Sequence, residues 1–386
     1  MKDSLEEPTK VLDLIRKSPA EEILTEEKLT EYLTQNKRLI HYIGFEISGL
    51  LHIGNGILCM QKVADFQKAG INTNIFLADY HSWINKKLGS DLDLIKKVAG
   101  DYFKEAIKYS LLCVGGDPNK VNFILASEFY EKMGIEYMEN VLKISKKITL
   151  SKAKKSMTIM GRKSTDSADL AQLIYTPMQV ADIFSLGVNI AHGGMDQRKA
   201  HVIAIEIGEK EFGYKPIAVH NHILLGVNID KNNREKIIRA KKYNERELLD
   251  EAFVEIKMSK SKPESAIFIH DTEEKIKEKI KKAYCPPREL EINPIIDIQH
   301  YVIWPYIAER GETFEIANIR KGGIKIYENV KDLEKDYLMG KIHPEDLKQA
   351  VIKYLTEILA PARKYFLEGA GRKYLEEMRE IMSRVR

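Results

Sequence analysis

Cysteine is scarce in this sequence of 386 residues, which holds only Cys59, Cys113 and Cys285. An odd number of widely spaced cysteines supports neither a disulfide framework nor a zinc site. Long apolar runs are also missing, since none approaches the ~20 residues that span a bilayer. The charged first residues do not resemble a signal peptide. These absences indicate a cytoplasmic protein without a membrane segment.

The sequence has no large excess of charge of one sign, because 61 lysines and arginines nearly balance 57 aspartates and glutamates. The net charge of +4 does not by itself indicate nucleic-acid binding, so any basic surface must be local. The dinucleotide-binding fingerprint G-x-G-x-x-G is absent as well, because Gly44, Gly49, Gly54 and Gly56 do not fit it. An NAD-dependent enzyme is therefore disfavoured.

Apolar strand segments alternate with helices from about residue 38 onwards. The first strand, RLIHYIGFE, is followed by the helix GNGILCMQKVADFQKAG, which Gly70 closes. The other predicted strands are INTNIFLAD, KVNFILAS, GVNIAHGG and PIAVHNH. Because strands that alternate with helices form parallel sheets, we predict a Rossmann-like, doubly wound α/β fold.

This alternation is interrupted at about residues 128–183, where mostly helical sequence predicts an insertion. We expect a Rossmann-like domain at residues 1–267, with a helical segment at its N-terminus, and a mainly α-helical domain at residues 268–386. In the first 38 residues, Ser18 and Pro19 are predicted to begin a helix. One helix of the second domain has an apolar stripe at Leu347, Val351, Tyr354 and Ile358.

The stretch GLLHIGNG, residues 49–56, follows the first strand and opens the first helix of the fold; we call it the glycine turn. Backbone N–H groups at such a crossing bind phosphate, and glycine lets the backbone come close to it. His52 and Asn55 can add side-chain donors that stabilise charge on a reacting phosphorus centre. From the residues alone, an equally good interpretation is that His52 only caps a helix.

A second unusual stretch, EIKMSKSKPES, places Lys257, Lys260 and Lys262 around Ser259 and Ser261. We call residues 257–262 the lysine loop. Such a loop can fold over a polyphosphate and neutralise departing pyrophosphate. A lysine-rich loop taken alone is more often a solvated surface segment.

The two stretches together, H-I-G-N early and K-M-S-K-S late, resemble the signature motifs of class I aminoacyl-tRNA synthetases, although Asn55 stands where that family usually has histidine. The resemblance narrows to the tyrosyl-tRNA synthetase family, archaeal and eukaryotic branch, and covers most of residues 38–360. The segments that carry it are YIGFEISGLLHIGNG, LADYHSWIN, IYTPMQVADIFSLGVNIAHGGMDQRKAH and AVHNHILLG.

The resemblance implies a tyrosine–tRNA ligase that forms tyrosyl-adenylate from tyrosine and ATP and then charges tRNA(Tyr). Tyr42 and Asp182 would hold the substrate hydroxyl, and Tyr175, Gln179 and Gln197 the α-ammonium. The residues themselves add that Tyr175, Gln179 and Asp182 are spaced to share one helix face, among apolar neighbours. The alternative is that these polar residues only cap or solvate the helix.

The resemblance also implies the residues that act on ATP, for which Mg²⁺ is expected as a companion. His52 and Asn55 would bind the transition-state phosphate, and Lys257 and Lys260 the leaving pyrophosphate. The other residues assigned to ATP are Gly44, Gly54, Gly194, Asp196, Ser259 and Ser261. The segment GGMDQ resembles the ribose-binding turn of the family, so the Asp196 carboxylate would accept from the ribose hydroxyls.

A local basic surface lies between residues 140 and 165, which include no acidic residue. Its basic residues are Lys143, Lys146, Lys147, Lys152, Lys154, Lys155, Arg162 and Lys163. This surface suits contacts to tRNA phosphates, for which we select Lys154 and Lys155, whereas a solvated helix face is the alternative. The resemblance implies that the same insertion forms a homodimer interface near the acceptor stem.

In the second domain, KIHPEDLKQA resembles the anticodon-reading segment of the family. Asp346 would accept hydrogen bonds from the first anticodon base, with His343 stacking nearby. Some relatives have an aromatic residue where Lys321 stands.

Three rival functions remain open. The first is a tryptophanyl-tRNA synthetase, the second a non-catalytic, synthetase-derived RNA-binding protein, and the third a small-molecule adenylyltransferase. Tyr42 with Asp182 argues against the first, because an indole offers its donor at a different position.

Overall fold

The fold is seen in a computed structural model that describes residues 7–162, 167–318 and 322–385, without the side chains of residues 246, 247, 250 and 251. Its main sheet consists of β1 (Ala20–Leu24), β2 (Ile40–Glu46), β3 (Asn72–Ala78), β4 (Val121–Leu125), β5 (Ile190–Gly194) and β6 (Ile217–Asn221). A separate hairpin consists of β7 (Phe314–Ala317) and β8 (Ile324–Tyr327).

The main sheet has the strand order β1-β6-β5-β2-β3-β4, and β2 to β6 run parallel. The chain moves outward from β2 to β4, then returns to the other side of β2 for β5. Because the direction of winding reverses between β2 and β5, a crevice opens at the carboxyl ends of these two strands. The predicted doubly wound α/β fold is confirmed, and all five strands predicted from the sequence are present.

Helices cover both faces of this sheet. Those outside the insertion and before residue 257 are α1 (Pro8–Arg16), α2 (Glu26–Thr34), α3 (Cys59–Lys68), α4 (Asp79–Ile84), α5 (Leu92–Val98), α6 (Lys104–Cys113), α11 (Arg198–Phe212), α12 (Lys231–Lys242) and α13 (Arg246–Ile256). A π-helical turn at Gly54–Leu58 leads directly into α3, so the glycine turn and the helix are one continuous unit. Gly70 ends this unit with φ +71°, as predicted.

The region between β4 and β5 is helical, as predicted for the insertion. It consists of α7 (Ala126–Met133), α8 (Ile135–Ser145), α9 (Leu150–Lys155) and α10 (Leu170–Ser185). Helix α10 begins with a capping box, in which Asp169 accepts from the Gln172 backbone N–H at 3.1 Å and Gln172 accepts from that of Asp169 at 3.3 Å. This cap fixes the start of the helix that carries Tyr175, Gln179 and Asp182.

The C-terminal region is mainly helical. Its helices are α14 (Glu273–Lys282), α15 (Pro294–Ile298), α16 (Trp304–Glu309), α17 (Val330–Leu338), α18 (Pro344–Ile358), α19 (Ala360–Leu367) and α20 (Arg372–Arg384). The predicted apolar stripe of α18 is buried, because Leu347, Val351, Tyr354 and Ile358 are each at most 4% exposed. Within the three described ranges, no helix is long and apolar enough to cross a membrane.

Two predictions of local structure were wrong. Ser18 and Pro19 do not begin a helix, because the following residues form β1, which pairs antiparallel with β6 and becomes the edge strand of the sheet. This pairing provides hydrogen bonds for backbone groups that the edge of β6 would otherwise expose. The hydrogen bonds between the two strands outweigh the helical preference of residues 20–24. The hairpin β7–β8 was also missed, since strands of four residues are too short to show a clear period of two.

Candidate active site

A cleft of about 720 Å³ lies at the carboxyl ends of β2 and β5, where the winding of the sheet reverses. The structure brings together in its walls every residue predicted for tyrosine or ATP. These are Tyr42, Gly44, His52, Gly54, Asn55, Tyr175, Gln179, Asp182, Gly194, Asp196, Gln197, Lys257, Ser259, Lys260 and Ser261. Residues more than 200 positions apart in the sequence therefore meet at one site.

The glycine turn is fixed by backbone pairing with the segment that leads into α14. The Ile53 N–H donates to the Ile267 carbonyl at 2.9 Å, and the Ile269 N–H donates to the Leu51 carbonyl at 3.1 Å. The Leu51 N–H donates to the buried Tyr102 hydroxyl at 3.0 Å. These bonds hold the turn on both sides, so His52 projects from rigid backbone.

His52 is a neutral hydrogen-bond donor in this setting. Burial, with smaller contributions from the charges of Lys260 and Lys257, lowers the pKa of its imidazole to about 3. The Gly54 N–H donates to Nδ1 at 3.2 Å, so the ring proton belongs on Nε2. His52 can therefore donate to an anion but cannot act as a charged acid near pH 7.

Lys257 at the start of the lysine loop is paired with the carboxylate predicted to bind ribose. Its Nζ lies 2.7 Å from Oδ2 of Asp196. Burial alone would raise the pKa of Asp196, but the charge and hydrogen bond of Lys257 outweigh burial and lower it. The backbone of Lys257 forms a β-bridge with Leu225, which anchors the loop at the rim of the cleft.

Lys260 reaches across the cleft from the same loop. Its Nζ donates to the Ser48 hydroxyl at 3.0 Å and lies 4.7 Å from the centre of the Phe103 ring. Burial lowers the pKa of Lys260 to about 7, with Glu46 opposing the shift and Lys87 adding to it. A bound anion would offset this burial and favour the charged ammonium.

Asp182 is the deep polar group of the cleft and is 1% exposed. Its Oδ1 accepts from the hydroxyls of Tyr130 at 2.9 Å and Tyr137 at 2.8 Å, and the rings of these two tyrosines stack with centroids 3.9 Å apart. Burial raises the pKa of Asp182 to about 8, although both hydrogen bonds act to lower it. Tyr42 is also buried, and its pKa is raised by burial and by Asp182. Oδ1 is thus occupied, which leaves Oδ2 for a ligand.

The other predicted polar residues form a second group in the cleft. The Tyr175 hydroxyl donates to Oε1 of Glu46 at 2.9 Å, and Nε2 of Gln179 donates to Oε1 of Gln197 at 2.9 Å. Within the described part of the chain, Oε1 of Gln179 is buried without a hydrogen-bond partner. These oxygens and the Glu46 carboxylate suit a cationic ligand group such as an ammonium.

Sequence reasoning missed three residues of the site, Glu46, Tyr130 and Tyr137, and assigned no role to His81. His81 is buried and neutral, since burial lowers its pKa to about 4, and its Nε2 lies 3.6 Å from Oδ2 of Asp182. Neither of its ring nitrogens has a hydrogen-bond partner among the described residues. Glu46 had a usable signal, because it is a charged residue at the end of a buried strand that opens into the crevice. The two tyrosines had none, as their positions on α7 and α8 do not reveal which way their hydroxyls point.

The residues predicted to contact tRNA lie outside the cleft. Lys154 and Lys155 are exposed on α9. Two of their basic neighbours are instead paired with acids of α11: Lys147 with Glu211 at 2.8 Å, and Lys152 with Glu206. Lys163 and Lys321 fall outside the described residues.

The segment predicted to read the anticodon forms the start of α18. His343 caps this helix, because its Nδ1 accepts from the Glu345 N–H at 3.2 Å. Asp346 is buried in the first turn and is 5% exposed.

Magnesium has no ready-made protein site among the residues that the structure describes. Within the described ranges, no group of three or more histidine, cysteine, aspartate or glutamate residues could hold a metal ion. The carboxylates of the cleft are already engaged, Asp196 by Lys257 and Glu46 by Tyr175. Such a donor set fits a magnesium ion held mainly by nucleotide phosphates and water rather than by a protein cage.

Comparison with known proteins identifies the class. The family model described as class I tRNA synthetases (W and Y) matches residues 34–360. The chain belongs to this family, which confirms the class inferred from the glycine turn and the lysine loop.

Individual relatives and solved structures within this family show which of its members the chain is similar to. The tyrosine–tRNA ligase of Thermococcus kodakarensis is 49% identical over 380 residues, which cover 96% of this chain and 97% of the relative. The crystal structure of tyrosyl-tRNA synthetase with L-tyrosine from Pyrococcus horikoshii is similar at a TM-score of 0.88 and 46% identity, covering 97% of this chain and 99% of that one. The crystal structure of tyrosyl-tRNA synthetase with L-tyrosine from Archaeoglobus fulgidus has a TM-score of 0.76 and 34% sequence identity, and the match covers 92% of this chain and 99% of that one. The predicted resemblance to tyrosyl-tRNA synthetases is confirmed.

Proposed function

We propose that this chain is a tyrosine–tRNA ligase, which activates tyrosine with ATP and transfers the tyrosyl group to the 3′-terminal adenosine of tRNA(Tyr). The observation that carries this proposal is a single cleft that joins Asp182 at its deep end with the glycine turn and the lysine loop at its mouth. A phenol-selective pocket thus adjoins groups suited to a triphosphate. We place this reaction in the cytoplasm, in keeping with the sequence.

The first step is an attack by the tyrosine carboxylate on the α-phosphorus of ATP. A new O–P bond forms, the bond to the β-phosphate oxygen breaks, and pyrophosphate leaves with that electron pair. The carboxylate is ionised near pH 7, so the step needs no general base. Catalysis then comes from positioning and from charge stabilisation.

Different residues of the cleft stabilise the reacting phosphate, the pyrophosphate and the ribose. Nε2–H of neutral His52 and the Asn55 amide donate to the reacting phosphate, and Lys257 and Lys260 neutralise the pyrophosphate. When Lys257 exchanges Asp196 for phosphate, the Asp196 carboxylate becomes available to ribose hydroxyls. Bound with ATP, Mg²⁺ would supply further charge neutralisation at the phosphates.

Tyrosine selection follows from the surroundings of Asp182. The phenol of the substrate donates to Oδ2 and also contacts the Tyr42 hydroxyl. Phenylalanine would leave these buried groups unpaired, which costs far more than the loss of a methylene-sized contact. At the other end, the ammonium is bound by Tyr175, Gln179 and Gln197.

The second step requires tRNA on the outer surface. We assign phosphate contacts to Lys154 and Lys155, because both are exposed on the basic face of α9. We assign anticodon recognition to the start of α18, where His343 and Asp346 lie. The terminal adenosine hydroxyl of the tRNA then attacks the tyrosyl carbonyl, the C–O bond to AMP breaks, and AMP leaves.

We also propose a homodimer through the insertion. Large apolar side chains are exposed along one side of α8 and at the start of α10: Ile135, Met138, Leu142, Leu170 and Ile174. Ile135 is 74% exposed and Leu170 75%, which is costly unless a second copy covers them. Leu142→Glu should therefore convert a dimer into a monomer in analytical ultracentrifugation. A wild-type monomer at micromolar concentration would contradict the interface.

The function is tested by ATP–pyrophosphate exchange measured with each amino acid in turn. We expect exchange with tyrosine and far less with tryptophan or phenylalanine. Exchange driven by tryptophan would support the tryptophanyl alternative, which belongs to the same family. No exchange with any amino acid would support a non-catalytic RNA-binding protein, for which Asn55 would be the first residue to examine.

A further inference from the structure

The last helix of the chain returns to the catalytic cleft. Helix α20 spans Arg372–Arg384 in the C-terminal region, yet Met382 and Val385 line the same cleft as the glycine turn and the lysine loop. No sequence motif of the cleft involves this segment.

Two glycines make room for these side chains. A Cβ atom built on Gly49 would lie 3.6 Å from both Cε and Sδ of Met382, and one on Gly89 would lie 3.3 Å from Cγ1 of Val385. Both glycines have positive φ, +139° and +71°, so larger residues there would be strained as well as crowded. The end of α20 is thus packed closely against the turn that carries His52.

Met382 and Lys260 approach the same glycine, Gly49. The Cβ position on Gly49 that is 3.6 Å from Met382 is 3.7 Å from Cδ of Lys260, so both side chains converge there. The Phe103 ring lies on the Nζ end of the same lysine. The stem of Lys260 thus passes Gly49, which Met382 also approaches, and its ammonium contacts Phe103 and donates to Ser48.

The helix is firmly attached to the Rossmann-like part of the chain. Its inner face buries Leu375, Met378 and Ile381, and Glu377 is paired with Lys97 near the end of α5. The preceding helix α19 adds a stacked pair, Tyr365 on Tyr109, with ring centroids 3.7 Å apart. The position of Met382 is set by this packing and not by a free chain end.

We propose that the end of α20 forms a wall of the ATP site and that Met382 is a positioning residue, which holds Lys260 where the leaving pyrophosphate requires it. This inference rests on the proposed function. Met382 does not react with the substrate and acts only through the lysine. An unbranched, polarizable side chain suits this place, because it fills the irregular gap between a glycine and a lysine stem.

The test is Met382→Ala in the full chain, with steady-state ATP–pyrophosphate exchange as the assay. Truncation frees the stem of Lys260, and displacement of a positioned group by about 1 Å can cost up to ~100-fold in rate. We expect kcat/KM for ATP to fall about tenfold, while KM for tyrosine stays within about twofold, because Asp182 and Tyr42 are untouched. Met382→Leu keeps the volume and should restore most of the activity.

The matched control is Met378→Ala, one turn earlier on the same helix. Met378 is buried but does not line the cleft, so its truncation should lower thermal stability without changing KM for ATP. The inference is overturned if Met382→Ala exchanges like wild type, or if both variants lose exchange in proportion to their loss of stability. A wild-type protein without tyrosine-dependent exchange would overturn the proposed function itself, which distinguishes the two failures.

Discussion

His222 offers the most quantitative prediction, because it joins three parts of the chain at the rim of the cleft. It follows β6, and its Nδ1 lies 2.6 Å from Oε1 of Glu21 on β1, while Nε2 lies 2.6 Å from Oδ1 of Asp297 on α15. The Tyr301 ring stacks on the imidazole at 3.7 Å. With a carboxylate at each ring nitrogen, both nitrogens must donate, so the ring is a charged imidazolium.

The magnitude follows from the pKa. Burial opposes the charge of His222, but Asp297 and Glu21 outweigh it and raise the pKa to about 9 from an ordinary value of 6.5. The folded-state pKa of His222 therefore exceeds its ordinary value by about 2.5. At about 1.4 kcal/mol per tenfold change in an equilibrium constant, this difference corresponds to roughly 3 kcal/mol of folding free energy. Because the folded-state pKa is the higher one, this stabilisation is complete below pH 6.5 and is lost as the pH rises through about 9.

The perturbation is His222→Gln, and the assay is urea unfolding at a series of pH values between 6 and 10. Near pH 6 the variant should be less stable than wild type by roughly 3 kcal/mol, and the difference should shrink steadily toward pH 10. His300→Gln is the control, because His300 stacks against Tyr301 in the same cluster but pairs with Glu334 and not with Glu21 or Asp297. A difference between His222→Gln and wild type that stays constant from pH 6 to 10 would refute the reasoning.

The remaining predictions concern the substrates. Tyr137→Phe removes one of two donors to Asp182, which should lower kcat/KM for tyrosine in exchange by roughly two- to tenfold, from about 0.5–1.5 kcal/mol per hydrogen bond; an unchanged value would mean that Tyr130 suffices. Asp182→Ala should abolish the preference for tyrosine over phenylalanine in the same assay, and a retained preference would contradict the pocket. Asp346→Ala should spare exchange but raise KM for tRNA in aminoacylation, and unchanged charging kinetics would remove the anticodon role. Lys257→Ala should reduce kcat of exchange by about a hundredfold, and wild-type turnover would contradict its part in neutralising pyrophosphate.

The fold and most of the cleft could be predicted because those features depend on short, continuous stretches of sequence. Apolar strand segments separated by short turns and helices predicted the parallel sheet. The glycine turn and the lysine loop are each recognisable from fewer than ten consecutive residues. The residues of α10 were recognisable because Tyr175, Gln179 and Asp182 share one face of a helix.

Features that depend on distant partners were not predictable. The strand β1 forms against the open edge of β6, and only the structure shows that the His81 ring lies beside Asp182 without a hydrogen-bond partner among the described residues. The ion pair of Lys257 with Asp196 joins two residues that the sequence had assigned to different parts of the nucleotide. Such contacts are set by the packing of whole elements and leave no periodic trace in the chain.

Helix α8 has two faces with different tasks. Tyr137 points inward to Asp182, the carboxylate proposed to bind the phenol, while Met138 and Leu142 point outward to the face proposed to meet a second copy. The proposed subunit interface and the proposed amino-acid pocket therefore share one helix. We predict that a separated subunit loses selectivity for tyrosine before it unfolds.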